Sequence, residues 1–270
     1  MSKIVKPLLV GCILVIMLLP LLNLGFSSFK TQNDFYQSAR MLLTGKLTFE
    51  NYIYIFTKMK IGQYLINSLS VTILVTAASV VFGSLAAFAL SRLPYRWLTF
   101  VVLFIVMVRF YPKITTIIPY YILMKDLKML DTIGAIVLAQ TGLFIPFVVL
   151  LMTTFYSDLP KEIEESCRID GANIAQSYMK IIVPMTAGGM AASAILTAQL
   201  SWNEFLFASA VSSVKSQTLP IAITSFLTDK GLNLGALSAM SVVIVLPIVL
   251  FIFFSQRFLV QGLTLGSVKG

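Results

Sequence analysis

Charged side chains are scarce in this chain, and three polar groupings decide which chemistry is open to it. Asp158, Lys161, Glu162, Glu164, Glu165, Arg168 and Asp170 crowd one short stretch. Arg109 and Lys113 interrupt an apolar run, and Ser201-Trp202-Asn203-Glu204-Phe205 forms a polar cluster late in another. There is no histidine, and the two cysteines, Cys12 and Cys167, lie in an apolar run and in the charged stretch respectively. Zinc, haem and histidine-based triads therefore lack ligands, and a Cys12–Cys167 disulfide is not expected. A membrane-embedded enzyme would need a nucleophile–base or metal set, which these residue types do not supply. No phosphate-binding loop of the form G-x-x-x-x-G-K-[ST] occurs, so ATP is not expected to bind this chain in the usual way. The chemistry left is that of holding a solute and gripping a partner.

The elements that must position these groups are membrane spans. With 58% hydrophobic and 11% charged residues, a soluble domain of this size could not hide its apolar surface. The net charge of +9 is scattered over loops, which argues against a nucleic-acid partner. Apolar segments of about 20 residues or more, enough to cross a bilayer, occur at 8–26, 65–90, 97–124, 133–155, 185–210 and 235–254. Backbone groups in lipid must be paired within each segment, which predicts an all-α integral membrane bundle. The reading is a single transmembrane domain over residues 1–270 with six spans and both termini on one side. The first run follows Lys3 and Lys6 as a signal peptide would, but it outruns a typical signal core and shows no clear cleavage site. It is read as a retained span. The long connection after it holds Leu47-Thr48-Phe49-Glu50-Asn51-Tyr52, which predicts a short interfacial helix capped by Thr48. Lys and Arg divide evenly between the two sides, so charge counting leaves the orientation undecided.

The charged stretch is expected to form an elbow of two helices lying along the membrane surface. Ser157 or Asp158 can cap the first, with Pro160 in its opening turn and Glu162 near the positive end of its dipole. Gly171 supplies a left-handed stop. Ile174, Tyr178, Ile181 and Ile182 then form one apolar stripe, and Pro184 ends the second helix.

Arg109 and Lys113 lie at membrane depth in the third span, where charge usually faces a bundle interior or a wet cavity. They are candidates for lining a solute pathway; the alternative is that Pro112 breaks the helix and Lys113 snorkels to the interface. Trp202, Asn203 and Glu204 pair an aromatic ring with polar groups, a combination that suits sugars. They could equally be an interfacial belt satisfied by a neighbouring helix. Gly83, Ser84, Ala86, Ala87 and Ala89, and Gly188, Gly189, Ala191, Ala192, Ser193 and Ala194, are small-residue faces read as packing surfaces.

The pattern Glu165-Ser166-Cys167, three residues, Gly171, nine residues, Ile181-x-Val183-Pro184 resembles the E-A-A-(three)-G-(nine)-I-x-L-P loop of permease subunits of binding-protein-dependent ABC importers. Ser166 and Cys167 replace the alanines, and Val183 replaces leucine. Asp170-Gly171-Ala172, Trp202-Asn203-Glu204-Phe205 and the tail 257–270 are similar to the carbohydrate branch of that family, of the maltose-transporter type. Arg109-Phe110-x-Pro112 resembles a variant in permeases for neutral sugars and polyols, which weighs against reading an anionic solute from Arg109 alone.

The resemblance implies a permease bundle with a cytoplasmic coupling loop at 158–184. This would be a transport subunit and not an enzyme, housed in the plasma membrane (the inner membrane of a Gram-negative cell) with both termini cytoplasmic. Implied partners are a homologous permease in a heterodimer, two ATPase subunits, an extracytoplasmic solute-binding protein and membrane lipid. ATP and Mg would sit on the ATPase. Glu164, Glu165, Arg168, Asp170, Gly171 and Ala172 would couple to that ATPase, with Glu165 touching it and Asp170 tying the two elbow helices together. Lys269 and Gly270 of the tail would also contact it. The implied solute is a sugar, oligosaccharide or polyol; alternatives are an anionic or phosphorylated sugar, or an ion-coupled secondary transporter, for which Glu204 is the one acid well inside a span.

Overall fold

Each apolar run is helical in the computed structural model, which describes residues 2–31, 47–59, 61–228 and 231–265. In chain order the helices are α1 (Ser2–Ser27), α2 (Glu50–Thr57), α3 (Ile61–Ser91), α4 (Tyr95–Phe110), α5 (Lys113–Asp126), α6 (Ile133–Ser157) and α7 (Glu162–Ile169). They continue as α8 (Ile174–Met185), α9 (Ala187–Trp202), α10 (Leu206–Val211), α11 (Leu219–Ala222) and α12 (Leu234–Leu265). Two short strands, β1 (Leu227–Thr228) and β2 (Gly231–Leu232), pair antiparallel in front of α12. Among the described residues four helices are long and apolar enough to cross a membrane, or up to six if each of two bent pairs is one span. The expected tail contacts, Lys269 and Gly270, lie outside the described residues.

Two of the expected spans are broken. The run 97–124, read as one span with a break at Pro112 as the alternative, is α4 and α5 meeting at 84°. Tyr111 and Pro112 adopt extended backbone there, because proline disfavours helical geometry in the residue before it and cannot donate to the ladder. The second break, of 77°, separates α8 from α9 at Thr186. Pro184 does not end the elbow's second helix as expected. In a regular helix its ring would abut the carbonyl four residues back. Instead residues Tyr178–Ile182 widen into a π turn, with the Val183 N–H bonded to the Tyr178 carbonyl, and the helix runs on to Met185. The run 185–210 is likewise interrupted after Trp202.

The chain divides into two compact units, Met1–Ile66 with Thr218–Val249, and Asn67–Gln217 with Leu250–Gly270. In the first, the α1 end is tied to α2. Asn51 donates its amide to the carbonyls of Ser28 (2.9 Å) and Lys30 (2.8 Å), and Phe29, Phe49 and Tyr52 form an aromatic cluster. The Thr48 hydroxyl accepts from the Glu50 N–H at 3.1 Å, although Phe49 occupies the cap position itself.

The second unit carries both candidate sites. Its core joins Ala87 of α3, Val148, Val149, Met152 and Tyr156 of α6, and Tyr178 and Ile182 of α8. Helices in lipid gain nothing by hiding apolar groups from one another, so close approach and hydrogen bonds must hold them. The small-residue faces provide the approach: a Cβ on Gly83 would lie 2.8 Å from Val148, and one on Gly189 would lie 2.6 Å from the Phe155 ring. At the N-terminal end of α6, Asp131 accepts backbone N–H bonds from Ser213, Val214, Lys215 and Ser216. Burial raises this carboxyl, but those four donors outweigh it and hold its pKa well below the usual carboxylate range. Asn67 fixes the same loop through the carbonyls of Lys215 and Gln217, both at 2.8 Å.

Candidate functional site

The elbow is built at the C-terminal end of α6. Neither Ser157 nor Asp158 caps α7 as expected: Ser157 ends α6, Asp158 is that helix's C-cap, and Lys161 occupies the α7 cap position without a side-chain bond. The start of α7 is favoured instead by Glu162, Glu164 and Glu165 in its first turn, next to the positive end of the dipole. Its stop follows the expectation. Gly171 has φ 80°, and the turn donates the Gly171 N–H to the Arg168 carbonyl (3.1 Å) and the Ala172 N–H to the Cys167 carbonyl (2.9 Å). The next helix opens with a reciprocal cap, Asn173 accepting from the Gln176 N–H and Gln176 accepting from the Asn173 N–H.

These caps give the elbow two distinct faces. Cys167, Ser177, Tyr178 and Ile182 point inward and are buried. Glu165, Arg168, Asp170 and Gly171 point outward with Ile169, which is 86% exposed, and Ile174. Ile174, 63% exposed, does not share the buried stripe with Tyr178 and Ile182. Asp170 does not bond the two helices together: its carboxylate has no hydrogen bond among the described residues, and the backbone of Gly171 and Ala172 performs the joining. Glu164 faces inward and forms an ion pair with Arg92. The free thiol of Cys167 is buried, and that of Cys12 is exposed.

The second site is an open cleft of about 680 Å³ where α4 and α5 break apart beside α6 and α9. Arg109 and Lys113 flank the break and both line it. The Arg109 guanidinium lies 5.0 Å from the Phe147 ring centre, and the Lys113 ammonium 6.0 Å from that of Phe144. Neither forms an ion pair among the described residues. Gln199, Asn203 and Phe205 contribute amides and a further ring from α9 and the turn after it. Flat aromatic faces beside amide and cationic donors can stack a sugar ring and bond its hydroxyls.

Of the polar cluster proposed for this wall, Asn203 and Glu204 reach the cleft, whereas Trp202 is buried at 6% exposure and is absent from its lining. Glu204 has a further role. Its carboxylate accepts from the backbone N–H groups of Leu206 (2.9 Å), Phe207 (3.1 Å) and Ala208 (3.2 Å), capping α10. Gln140, fully buried in α6, donates to the same carboxylate at 3.3 Å and accepts from the Ser201 hydroxyl at 2.5 Å. Sequence reasoning missed Gln140, Phe144 and Phe147, because in an apolar run only three-dimensional pairing separates a cleft residue from a packing residue.

Comparison with known proteins agrees with this architecture. Residues 79–265 match the family described as binding-protein-dependent transport system inner membrane component. The trehalose transport system permease protein SugB of Mycobacterium tuberculosis is 30% identical over 232 residues, 85% of each chain. The arabinooligosaccharides transport system permease protein AraQ of Halalkalibacterium halodurans is 32% identical over 255 residues, 93% of this chain and 91% of that one. A chain from a solved bacterial transporter that imports the acidic polysaccharide alginate shares the fold at a TM-score of 0.79, with 21% identity and 95% of each chain covered. The match spans the elbow, the broken α4–α5 pair and the cleft, and the chain belongs to the family of binding-protein-dependent transport system inner membrane components.

Proposed function

We propose that the chain is one permease subunit of a sugar importer, forming half of the translocation pathway and borrowing its ATPase from another chain. The observation that carries this reading is the two-faced elbow, charged and apolar on the outside and continuous with the helix core on the inside. A surface of that kind suits a groove on a soluble partner, in the manner of a helix laid into a cleft. Glu165, Arg168 and Asp170, with Ile169 and Ile174 beside them, would contact the ATPase, and Gly171 and Ala172 would hold the turn. ATP and Mg would be held by that ATPase and drive its closure. Closure can shift the inward-open to outward-open equilibrium only through contacts that differ between the two states, and the elbow is where they would differ. The spans would then rock about the cleft, with a homologous permease opposite and a solute-loaded binding protein docked outside. This orientation places both termini and the elbow in the cytoplasm.

The solute class is supported by the oligosaccharide and disaccharide names of the relatives and by the aromatic and amide lining of the cleft. Arg109 and Lys113, cationic and without an ion pair among the described residues, favour a second reading in which the sugar carries a carboxylate, sulfonate or phosphate group.

Vesicles holding this chain, its sister permease and the ATPase, with binding protein inside or outside, test the reading against a panel of neutral and acidic sugars. Uptake is expected to need both ATP and the binding protein and to survive collapse of ion gradients. Gradient-driven uptake without the ATPase would contradict it. Preference within the panel separates the neutral from the acidic solute.

A further inference from the structure

Arg92 follows α3 in the short Ser91–Arg96 connection, where a basic residue needs no role beyond facing water. Its side chain is instead only 19% exposed and reaches three separate elements. The guanidinium Nε donates to Glu164 Oε1 in the first turn of α7 at 2.5 Å, and a second nitrogen completes the ion pair. Nη1 donates to the Tyr156 carbonyl, in the last turn of α6, at 2.9 Å. The whole group lies over the Phe88 ring of α3, 5.3 Å from its centre. One cation therefore sits between the negative end of the α6 dipole and a carboxylate at the positive end of α7, the favourable sign at both contacts. A second attachment lies on the elbow's other arm. The Tyr178 hydroxyl of the π turn bonds Ser84 of α3, and Ser84 bonds the Tyr156 hydroxyl at 3.0 Å, all three buried. With one attachment the elbow could pivot. With two, on opposite sides of the Gly171 turn, displacement of its outer face must move α3 and α6 together.

We propose that Arg92 is a positioning residue for transport, the strut that transmits displacement of the elbow into the ends of α3 and α6. The inference rests on the coupling role given to the elbow above. Glu164 belongs to the same strut and acts through Arg92, not by touching the ATPase. Lysine would not replace Arg92, because a single ammonium cannot present the fork that bonds a carboxylate and a carbonyl at once.

The test uses the complete importer in vesicles and reads solute transported per ATP hydrolysed, with the amount of assembled complex measured alongside. Arg92→Glu and Glu164→Arg are each expected to lower that ratio about tenfold, the scale of one lost charge-assisted hydrogen bond. Arg92→Lys should fall in between, and the exchange Arg92→Glu with Glu164→Arg should recover most of the loss. Wild-type ratios in both single variants would overturn the proposal. So would an exchange variant that assembles no better, or couples no better, than the worse single variant. If Gly171→Pro also leaves the ratio unchanged, the coupling role of the elbow fails; if only the strut variants are silent, the strut alone fails.

Discussion

Gly171→Pro is expected to abolish solute uptake while leaving the chain inserted in the membrane. Gly171 sits at φ 80°, and proline is confined near −65°, so the turn cannot close. The substitution also removes the N–H that bonds the Arg168 carbonyl, and with it the geometry that brings the Ala172 N–H to Cys167. A Cβ at this position meets open space, so the effect is conformational and not steric. This orders the lesser variants. Asparagine visits the left-handed region readily and should keep most activity, alanine pays about 1–2 kcal/mol, and valine more because it is branched. Uptake per inserted chain should therefore fall in the order Gly, Asn, Ala, Val, Pro. Equal uptake across the series would remove the turn from the mechanism.

Glu204→Ala has the other large effect, on the stability of the cleft. The carboxylate satisfies three backbone N–H groups at the start of α10 and the side-chain amide of Gln140. Removing it strands these donors in a buried setting, where each unsatisfied group costs about 1–3 kcal/mol. At the lower end of that range for each of the four donors, a total loss of about 4 kcal/mol is expected, comparable to breaking a buried charged contact by removing one partner. Glu204→Gln keeps one acceptor oxygen and should lose about half as much. Thermal unfolding of the purified complex in detergent measures both. A Glu204→Ala protein as stable as wild type would show that the carboxylate is dispensable to α10. An equal loss in both variants would assign its contribution to charge, not to hydrogen bonding.

The parts legible in the sequence are those set by neighbours along the chain. The charge density between Asp158 and Asp170 located the elbow, and Gly171 marked its turn, because both are local demands of helix ends. Apolar run length located the membrane-crossing helices. The breaks were harder. Pro112 was visible beside Arg109 and Lys113, yet hydropathy is the same whether the run is one helix or two meeting at 84°. The π turn at Tyr178–Ile182 left no periodic signature in so short a segment, and the exposure of Ile174 was equally invisible to the spacing. Glu204 was a candidate through its place in the polar cluster; its capping role exists only once the chain turns after Trp202. The Arg92–Glu164 pair joins positions 72 residues apart, and no local rule connects them.

The central claim is that the elbow faces the cytoplasm and is held by a soluble ATPase. The most direct measurement places a single cysteine at Ile169, 86% exposed, in a chain carrying Cys12→Ser and Cys167→Ala, with Val214→Cys, 74% exposed, as the comparison at the other end of α6. In sealed right-side-out vesicles, a membrane-impermeant maleimide should label position 214 at once and position 169 only after permeabilisation. A bifunctional reagent at 169 should then join the chain to the ATPase, and bound ATPase should shield that position from the maleimide. Labelling of 169 from the exterior, or unchanged labelling with and without the ATPase, would contradict the account.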